Sequence, residues 1–445
     1  MNILHYTLGV PPFRTGGLTK FCFDLMSQQE ENGDNVSVIW PGHFNILKKE
    51  TKIKKRGIDK WVGYEIINPN IVPYDEGIKN IAYFMDNGDY KEFDSFFKKY
   101  RFDILHIHTF MGIQRNFIKA AKKNDVKVIF TTHDFYPICP RVKMFFDGEK
   151  CKYAHDFKYC SSCNMTGLPI WKLKLLQSNI YVKLKNCSIF KYFRKRHRNK
   201  FFKKKTELII ENKNAVLSYK KLRNYYNDIF NEIDYIHYNS DVAKKVYDEY
   251  FGIHVGKIID ISHNDILDRR RLFEPHKDLQ ITYLGPQNIE KGYFLLKSAL
   301  DIVKQKRKIK LNIFFDPIVI EPYMSVHKAY TYRGLKEIFD NSDLVIVPSL
   351  WSETYGFNVL EAMSYAVPVI VSENVGAKDI IPAGGGIIVK EEMLNANGLA
   401  RIILNITINQ IRKMNNILCN DGSIVTMDIV SKEIKKYCYE GERTV

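Results

Sequence analysis

The sequence predicts an α/β protein built from two Rossmann-like domains that face each other across a cleft. Residues 2–40 follow a strand–loop–helix–strand order, which is the beginning of a doubly wound α/β domain. The same order begins again at Gln280, after a polar and charged stretch from Asp265 to Asp278 that is typical of a linker. A chain of 445 residues is too long for one ordinary core, so two domains are expected.

The first domain is predicted to span residues 1–268. A strand over residues 2–7 leads into a loop with Gly16 and Gly17, and a helix follows over residues 18–26. Gly33 marks the end of that helix. The later elements are strands over residues 35–40, 103–108, 126–132, 234–239 and 258–262, and a helix over residues 241–251.

The second domain is predicted to span residues 275–424, followed by a terminal segment, 425–445, with a helix over 429–437. In parallel sheets of this kind ligands bind at the carboxyl ends of the strands, so residues that follow those strands are the candidates for a site. The predicted elements of this domain are strands over residues 280–285, 311–315, 344–347 and 368–371, and helices over residues 294–303 and 335–339.

Composition indicates a globular protein with one strongly basic segment. Hydrophobic residues make up 45% of the chain and charged residues 26%. No apolar run reaches the length of a membrane span, and no signal-peptide pattern precedes the first strand, so a cytoplasmic location is expected. The stretch from Trp171 to Tyr225 holds 17 Lys/Arg and two Glu, and it accounts for +15 of the net charge of +17.

This basic stretch lies in an insertion predicted at about residues 137–230 and favours a docking role. Aromatic and aliphatic residues alternate with the cations, most densely between Phe190 and Lys205. A charge run is usually only a solvated face, but this mixture is typical of an interfacial segment on anionic lipid. Nucleic acid is the rival partner, because base stacking also uses aromatics beside cations. We favour the membrane surface.

The most informative segment is residues 347–363, which ends a strand, makes a polar turn and begins a helix. A helix start presents free backbone N–H groups that suit a phosphate. Glu353 lies in the turn and Glu361 inside the helix, so two carboxylates that can accept hydroxyl hydrogen bonds flank that position. The simpler interpretation is that both glutamates only favour the helix dipole. The combination predicts a nucleotide-sugar site.

Three further segments follow strands at the predicted cleft. Gly16 and Gly17 permit a tight turn before a helix, and the loop 285–292 combines glycines with Lys291, a point charge for phosphate. His133 stands at the end of a buried strand. Each has an ordinary alternative: a flexible turn, a surface loop and a structural histidine. His108, which also ends a strand, has a weaker claim than His133.

These segments together resemble glycosyltransferase family 4, over both halves of the chain from Met1 to Val389 and in the same order. The surroundings of Glu353 carry the likeness, namely Pro348-Ser349, Gly356-Phe357, Glu361-Ala362-Met363 and Pro368-Val369. The resemblance implies the GT-B fold and a retaining hexosyl- or related transferase. Its donor would be a nucleoside-diphosphate sugar, with no cofactor required. It also implies that the terminal helix packs back on the first domain.

By this resemblance His133, Glu353 and Lys291 are the catalytic group. His133 would lie beside the donor sugar, Glu353 would hold hydroxyls of that sugar, and Lys291 would bind the donor diphosphate. Glu361 would hold the ribose, and backbone N–H groups near the helix start would face the phosphates. The substrate-binding residues predicted in this way are Gly16, Gly17, Gly285, Gly356, Phe357, Asn358, Val359 and Glu361.

The sequence departs from the family pattern at three positions. Pro286 stands where an arginine is usual, Ala366 replaces a glycine, and Asp379 replaces a glutamate. The change at Pro286 removes one of the two cations expected at the diphosphate. Either Lys291 acts alone, another cation substitutes, or activity is reduced.

The predicted reaction moves the sugar without a metal ion, because no Asp-x-Asp occurs in a strand-end loop. Lys291 and helix N-termini would stabilise the leaving diphosphate, and a same-face mechanism is the hypothesis for retention. The expected acceptor is a lipid-linked or other saccharide in surface polysaccharide synthesis, at the inner face of the plasma membrane, with no nucleic-acid partner. The alternatives are a GT-B sugar-nucleotide epimerase and a non-catalytic glycan- or membrane-binding protein.

Four cysteines form a second, independent pattern. Cys139, Cys151, Cys160 and Cys163 have the spacing C-x11-C-x8-C-x2-C, whose closing pair suits a metal. The first two spacings are not those of a common zinc motif. The two interpretations are a structural zinc site that braces the insertion and unlinked buried thiols, of which the spacing favours the thiols.

Overall fold

The computed structural model describes residues 1–45, 49–74, 76–152, 154–178, 181, 187, 213–420 and 424–441. Each half of the chain is an α/β domain built on a sheet of mainly parallel strands. The predicted fold of two Rossmann-like domains is confirmed. The basic run from Phe190 to Lys205 lies outside the described residues. None of the helices within the described ranges is long and apolar enough to cross a membrane.

The first domain is organised around an eight-stranded sheet with the order β10-β9-β6-β5-β1-β2-β4-β3. Its strands pair in parallel except for the edge hairpin β3–β4, and β7 and β8 form a small separate hairpin. The strands in chain order are β1 (Asn2–Tyr6), β2 (Asn35–Pro41), β3 (Lys52–Ile58), β4 (Trp61–Ile67), β5 (Ile104–Ile107), β6 (Lys127–Thr131), β7 (Phe145–Phe146), β8 (Glu149–Lys150), β9 (Tyr235–Tyr238) and β10 (Gly256–Ile258).

Helices cover both faces of this sheet, which buries the central strands completely. Strand β5 is buried throughout and β6 is buried from Val128 to Thr131, and both are mainly apolar, as expected for parallel strands between two helical layers. The helices of the domain are α1 (Gly17–Glu31), α2 (Tyr90–Tyr100), α3 (Arg115–Lys123), α4 (Cys160–Asn164), α5 (Ile170–Leu176), α6 (Lys213–Phe230) and α7 (Asp241–Phe251).

A strand was predicted over residues 258–262. The observed strand β10 begins earlier and is shorter, since it spans only Gly256–Ile258. Ile259 and Ile261 are nevertheless buried, at 2% exposure each, in a core cluster that spans both domains. The apolar alternation that suggested a strand therefore reflects packing of the linker rather than pairing in the sheet.

The second domain has a six-stranded parallel sheet with the order β13-β12-β11-β14-β15-β16. The order reverses direction at β11 and β14, which leaves a crevice at their carboxyl ends. The elements are β11 (Leu279–Tyr283), α8 (Tyr293–Val303), β12 (Ile309–Ile313), β13 (Met324–Val326), α9 (Leu335–Asp340), β14 (Leu344–Val347), α10 (Phe357–Met363), β15 (Val369–Ser372), β16 (Gly386–Val389), α11 (Ala396–Asn405) and α12 (Ile408–Asn420).

The chain then returns to the first domain. Helix α13 (Met427–Glu433) continues into a π-helical turn, Ile434–Tyr439. Met427, Val430 and Ile434 are buried in the same core cluster as residues of α1. An ion pair between Lys435 and Asp34 (3.0 Å) adds to the contact. The last helix thus covers the sheet of the first domain.

Candidate active site

The segment 353–361 lies where the carboxyl ends of the two sheets face each other. Strand β14 ends at Val347, and α10 begins at Phe357 after Gly356, whose φ of 102° belongs to the left-handed region. A side chain at Gly356 would meet Val375 at 2.6 Å, so both the backbone angle and the space favour glycine. The Val359 N–H group donates to the Gly356 carbonyl (3.1 Å) and is therefore not free for a ligand.

Glu353 and Lys291 are in direct contact at this segment. The Lys291 ammonium donates to the Glu353 carboxylate, and the Ser349 hydroxyl donates to its other oxygen at 2.6 Å. The ammonium also lies 5.0 Å from the centre of the Trp351 ring. Lysine has three N–H donors, and this geometry leaves donors for a second anion.

The loop 285–292 reaches this position because Gly292 lets it pass close to the end of β14. Gly292 has a φ of 75°, and a Cβ atom there would lie 1.9 Å from the Pro348 carbonyl oxygen. Only glycine fits such an approach. Gly285 is similarly confined, since a Cβ atom would lie 2.4 Å from the Tyr283 hydroxyl.

A cation from the first domain meets the same loop. The Lys143 ammonium pairs with Glu290 at 2.6 Å, and both side chains are largely buried, with 26% and 15% exposure. Glu290 is the neighbour of Lys291, and its carbonyl accepts from the Leu350 N–H group (2.9 Å). Lys143 was not predicted as a site residue, because nothing in its local sequence distinguishes it from a surface lysine.

The glycine pair of the first domain packs against the start of α10. Gly16 precedes α1 with a φ of 134°, and no side chain caps the helix. A Cβ atom at Gly17 would lie 3.3 Å from the Phe357 ring. The N-terminal end of α1, with its free N–H groups and positive dipole, therefore faces the segment 353–361.

His133 reaches the segment from the end of β6. Its carbonyl accepts a hydrogen bond from the Thr354 hydroxyl at 2.9 Å, and its ring lies 4.9 Å from that of Phe21. Desolvation by burial lowers the pKa of His133 to about 3, with a smaller contribution from His237. At neutral pH the ring is therefore uncharged. Thr354 is part of the motif around Glu353, but the sequence does not indicate its partner.

Glu361 is buried with a polar atom that has no partner. Its side chain is 2% exposed, and among the described residues its Oε2 atom accepts no hydrogen bond. The imidazole of His263 lies beside it, with Nε2 at 3.3 Å from Oε1, and neither ring nitrogen of His263 has a hydrogen-bond partner there either. Buried polar atoms are rarely left unpaired, so this position fits a ligand that supplies hydroxyl groups.

The predicted site residues thus gather in one place. Gly17 contacts the residue that begins α10, Lys291 contacts Glu353, and Glu361 follows one turn into α10. His108 does not face the segment directly, because His133 lies between them: its Nδ1 is 3.2 Å from the Nε2 of His133. His263 was not predicted, although its position after the alternating stretch 258–262 is a possible signal.

Two clusters of the described residues have metal-ligand spacing. Asp24, His263 and Asp265 bring ligand atoms within 4.8 Å of one another near Glu361. The Lys20 ammonium already lies at 2.6 Å and 2.8 Å from the two aspartates and balances their charge. His5, Cys22 and His108 form the second cluster, which is fully buried in the core of the first domain.

The four predicted cysteines share one pocket in the first domain. Cys139, Cys151, Cys160 and Cys163 all line it together with Arg223, and none of them forms a disulfide. The Arg141 guanidinium donates to the Cys163 sulfur at 3.6 Å. Within the described ranges, no group of three or more metal-ligating side chains with ligand atoms within 4.8 Å of one another includes these thiols. The fold gathers the cysteines without placing them at metal-ligand distance.

Comparison with known proteins supports a relationship in both halves of the chain. A family model described as Glycosyltransferase Family 4 matches residues 15–160, and one described as Glycosyl transferases group 1 matches residues 324–420. An uncharacterized 42.6 kDa protein in the cps region of Klebsiella pneumoniae is 22% identical over 293 residues. That match covers 64% of this chain and 61% of the relative, which is less than two thirds of its length.

Solved structures resemble the whole chain. A glycosyltransferase from Rickettsia africae ESF-5 superposes with a TM-score of 0.58 at 16% identity, over 99% of this chain and 97% of that one. Anabaena HepE in complex with UDP-glucose gives 0.55 at 11% identity, over 99% and 100%. At these identities the likeness concerns the fold, which is GT-B.

Proposed function

We propose a reaction for this chain on the premise that it belongs to glycosyltransferase family 4: it transfers a sugar from a nucleoside-diphosphate sugar to an acceptor hydroxyl, with retention of configuration. The observation that carries the proposal is the convergence of both domains on the segment 353–361. Gly17 and His133 come from the first domain, and Lys291, Glu353 and Glu361 from the second. A nucleotide sugar offers a ribose, a diphosphate and a sugar ring to such a crevice.

Glu361 is the proposed ribose ligand. Its buried Oε2 atom has no hydrogen-bond donor among the described residues, and ribose hydroxyls would supply one. A charge-assisted hydrogen bond to a buried carboxylate contributes about 1.5–3 kcal/mol. His263, whose ring nitrogens have no hydrogen-bond partner among the residues that the structure describes, would lie beside the same part of the ligand.

Lys291 and the N-terminus of α1 are proposed to stabilise the leaving diphosphate. The ammonium keeps N–H donors beyond the one that Glu353 accepts, and the N–H groups at the start of α1 are not capped by a side chain. Preorganised donors of this kind act where negative charge develops in the transition state. Lys143 is proposed as the cation that compensates for Pro286, because it enters the same loop through Glu290.

Glu353 and His133 are proposed to hold the donor sugar. The Glu353 carboxylate is oriented by Lys291 and Ser349, which leaves lone pairs for sugar hydroxyls. The His133 ring is neutral at pH 7, and its Nδ1 has no hydrogen-bond partner in the part of the chain that the structure describes. Transfer on the same face of the sugar remains the proposed route to retention, with the departing diphosphate assisting the incoming hydroxyl.

The proposed acceptor is a lipid-linked saccharide at the inner face of the plasma membrane, in surface polysaccharide synthesis. The interleaved cations and aromatics between Phe190 and Lys205, and the place of the Klebsiella relative in a cps region, support this part of the proposal. Sedimentation with neutral and anionic vesicles tests the docking role. Equal binding to both vesicle types, or to neither, would count against it.

The direct test of the reaction is nucleoside-diphosphate release from a panel of nucleotide sugars, with and without lipid extract as acceptor. We expect one nucleotide sugar to release its nucleoside diphosphate, and the release to increase when an acceptor is present. The anomeric configuration of the product, α or β, should be that of the donor. Conversion of the nucleotide sugar into its epimer, without release of a nucleoside diphosphate, would favour the epimerase. Neither release nor binding of any nucleotide sugar would favour a non-catalytic protein.

A further inference from the structure

A hydrogen-bonded network connects the candidate site with the last helix of the chain. It passes through histidine rings that are stacked in the core of the first domain, with centroids of His106 and His108 4.4 Å apart and those of His108 and His133 5.4 Å apart. All of these rings are completely buried except that of His133, which borders the cleft. The histidines of the network are His5, His106, His108, His133 and His237.

The direction of the network is set at its far end by a backbone carbonyl. His237 Nε2 lies 2.7 Å from the Ile259 carbonyl oxygen, which can only accept, so this nitrogen carries the proton. The other nitrogen of a neutral ring is then an acceptor, and it accepts from the Thr131 hydroxyl at 2.9 Å. The Thr131 oxygen in turn accepts from His106 Nε2 at 2.6 Å.

The network continues through Tyr439 of the last helix, and the direction of each hydrogen bond there is fixed in the same way. With Nε2 protonated, His106 Nδ1 accepts from the Tyr439 hydroxyl at 2.7 Å. The Tyr439 oxygen accepts from the Gln29 amide nitrogen at 2.9 Å. The Gln29 carbonyl oxygen is then left to accept from His5 Nε2 at 2.8 Å. Each neutral ring and each hydroxyl has one proton to donate, and the Gln29 amide donates only through its nitrogen and accepts only through its oxygen, so no step can be reversed alone.

The final two steps reach the cleft. His5 Nδ1 accepts from His108 Nε2 at 3.1 Å, and His108 Nδ1 accepts from His133 Nε2 at 3.2 Å. A neutral imidazole has one protonated and one unprotonated nitrogen, and burial keeps all five rings neutral. It lowers the pKa of His5 and His237 to about 4 and that of His133 to about 3, and it holds the pKa values of His106 and His108 well below their ordinary range.

We propose that Tyr439 sets the tautomer of His133, holding its proton on Nε2 and leaving Nδ1 as an acceptor for a hydroxyl of the donor sugar. This inference rests on the proposed function for its ligand. Among the described residues no side chain donates to His133 Nδ1. Tyr439 acts through Gln29, His5 and His108, and it is therefore a positioning residue. A ligand group at Nδ1 must be a donor, which selects a hydroxyl over a carbonyl or carboxylate oxygen.

The test is to read the tautomers directly by NMR of the full chain labelled with ¹⁵N at histidine. Multiple-bond ¹H–¹⁵N correlation distinguishes protonated from unprotonated ring nitrogens, and His133→Gln identifies the His133 signals by their loss. We expect the Nε2-protonated form in the unmodified protein. In Tyr439→Phe the link to the Ile259 carbonyl is broken, and we expect the two His133 nitrogens to shift towards each other as both tautomers become populated.

Tyr437→Phe is the matched control, because Tyr437 lies on the same helix but contacts Lys257 rather than the network. It should keep the unmodified His133 pattern. Thr131→Val provides a second break in case Tyr439→Phe does not fold, and Thr131→Ser, which keeps a hydroxyl, should restore the pattern. An Nδ1-protonated His133 in the unmodified protein would overturn the inference. So would an unchanged His133 pattern in both Tyr439→Phe and Thr131→Val.

Binding measurements separate this inference from the proposed function. If the two tautomers become equally populated in Tyr439→Phe, the apparent affinity for the nucleotide sugar should fall about twofold, because only half of the protein is competent. Affinity for the nucleoside diphosphate without the sugar should not change. If no nucleotide sugar binds to the unmodified protein while the tautomer pattern is as expected, the proposed function fails and the setting of the tautomer by Tyr439 stands.

Discussion

At the residue scale, the contact between Glu353 and Lys291 joins two functions of the proposed reaction, the binding of sugar hydroxyls and the binding of phosphate. The Glu353 carboxylate fixes the Lys291 ammonium and is itself oriented by Ser349. A hydroxyl-binding group and a phosphate-binding cation are therefore held by one contact. A change at either residue should affect the other.

Replacing Glu353 with Gln should lower kcat/KM about 10- to 100-fold. The amide keeps the shape but loses the charge that orients Lys291, and the lost charge-assisted bonds correspond to about 1.5–3 kcal/mol. Glu274→Gln is the control, since Glu274 is 77% exposed and pairs with Arg412 of α12. Nucleoside-diphosphate release provides the measurement. Normal turnover in Glu353→Gln would remove this residue from the site.

Pro286 stands where a second cation is expected at the diphosphate, and a comparison of Lys143 with Lys150 tests whether Lys143 supplies that cation. Both belong to the first domain and pair with a glutamate of the second, Lys143 with largely buried Glu290 and Lys150 with Glu391, which is 60% exposed. Lys143→Ala should lower kcat/KM about tenfold, because a preorganised cation is lost near the diphosphate. Lys150→Ala should change it less than about twofold, as expected for an exposed pair. Equal effects of the two substitutions would refute a special role of Lys143.

At the element scale, the hairpin β7–β8 and the short helix α4 have little core of their own. Each strand of the hairpin has two residues, and α4 has five. The pocket of the four cysteines lies between these elements and α6, which contributes Arg223. Arg223 forms no ion pair with a carboxylate in the described ranges, and burial lowers its pKa. A zinc ion held by four thiolates is an anionic centre that would balance this cation.

The shared pocket and its buried cation favour one zinc ion per chain in freshly reduced protein, and binding it requires the four sulfur atoms to come closer together than they lie in this structure. Elemental analysis of the purified chain checks the content. Cys160→Ser should release the metal and lower the melting temperature, because a structural zinc site contributes directly to folding. Cys419→Ser, in α12 of the second domain, should do neither. Reduced protein without zinc would leave the cysteines as ordinary buried thiols.

At the scale of the whole molecule, the buried histidines couple stability to pH. Five of them have pKa values lowered by burial, from an ordinary value of 6.5. Below pH 6.5 these histidines bind protons in the unfolded chain but not in the folded chain. Their contribution to the free energy of unfolding is therefore complete above pH 6.5 and is lost as the pH falls. Burial raises the pKa of Asp134 to about 7 and that of Asp260 to about 6, which acts in the opposite direction.

The free energy of unfolding should therefore decrease between pH 6.5 and 5, because five histidines outweigh two carboxyl groups. Each net proton corresponds to about 1.4 kcal/mol per pH unit. Urea unfolding at pH 7.5, 6.5 and 5.5 gives the slope. His5→Gln should reduce the slope by about one proton, while His155→Gln, at an exposed position, should leave it unchanged. A stability that is constant down to pH 5 would contradict this view of the core.

The sequence was most informative where a strand is buried on both faces. The core strands β1, β5, β6, β14 and β15 were all predicted, because apolar runs bounded by turn residues identify such strands. The hairpin β3–β4 was not predicted. Its strand β3 is a lysine-rich edge with mostly exposed side chains, so it lacks the apolar pattern on which the prediction depends.

Periodicity and motif spacing are local properties, so the order of the elements, the two-domain architecture and the chemical groups available to the cleft could be predicted from the chain alone. The meeting of distant groups could not: Lys143 pairs with Glu290, Glu361 lies beside His263, and His106 bonds to Tyr439, 333 positions later. Contacts across hundreds of residues depend on how helices pack on the sheets. Sequence spacing carries no information about that packing.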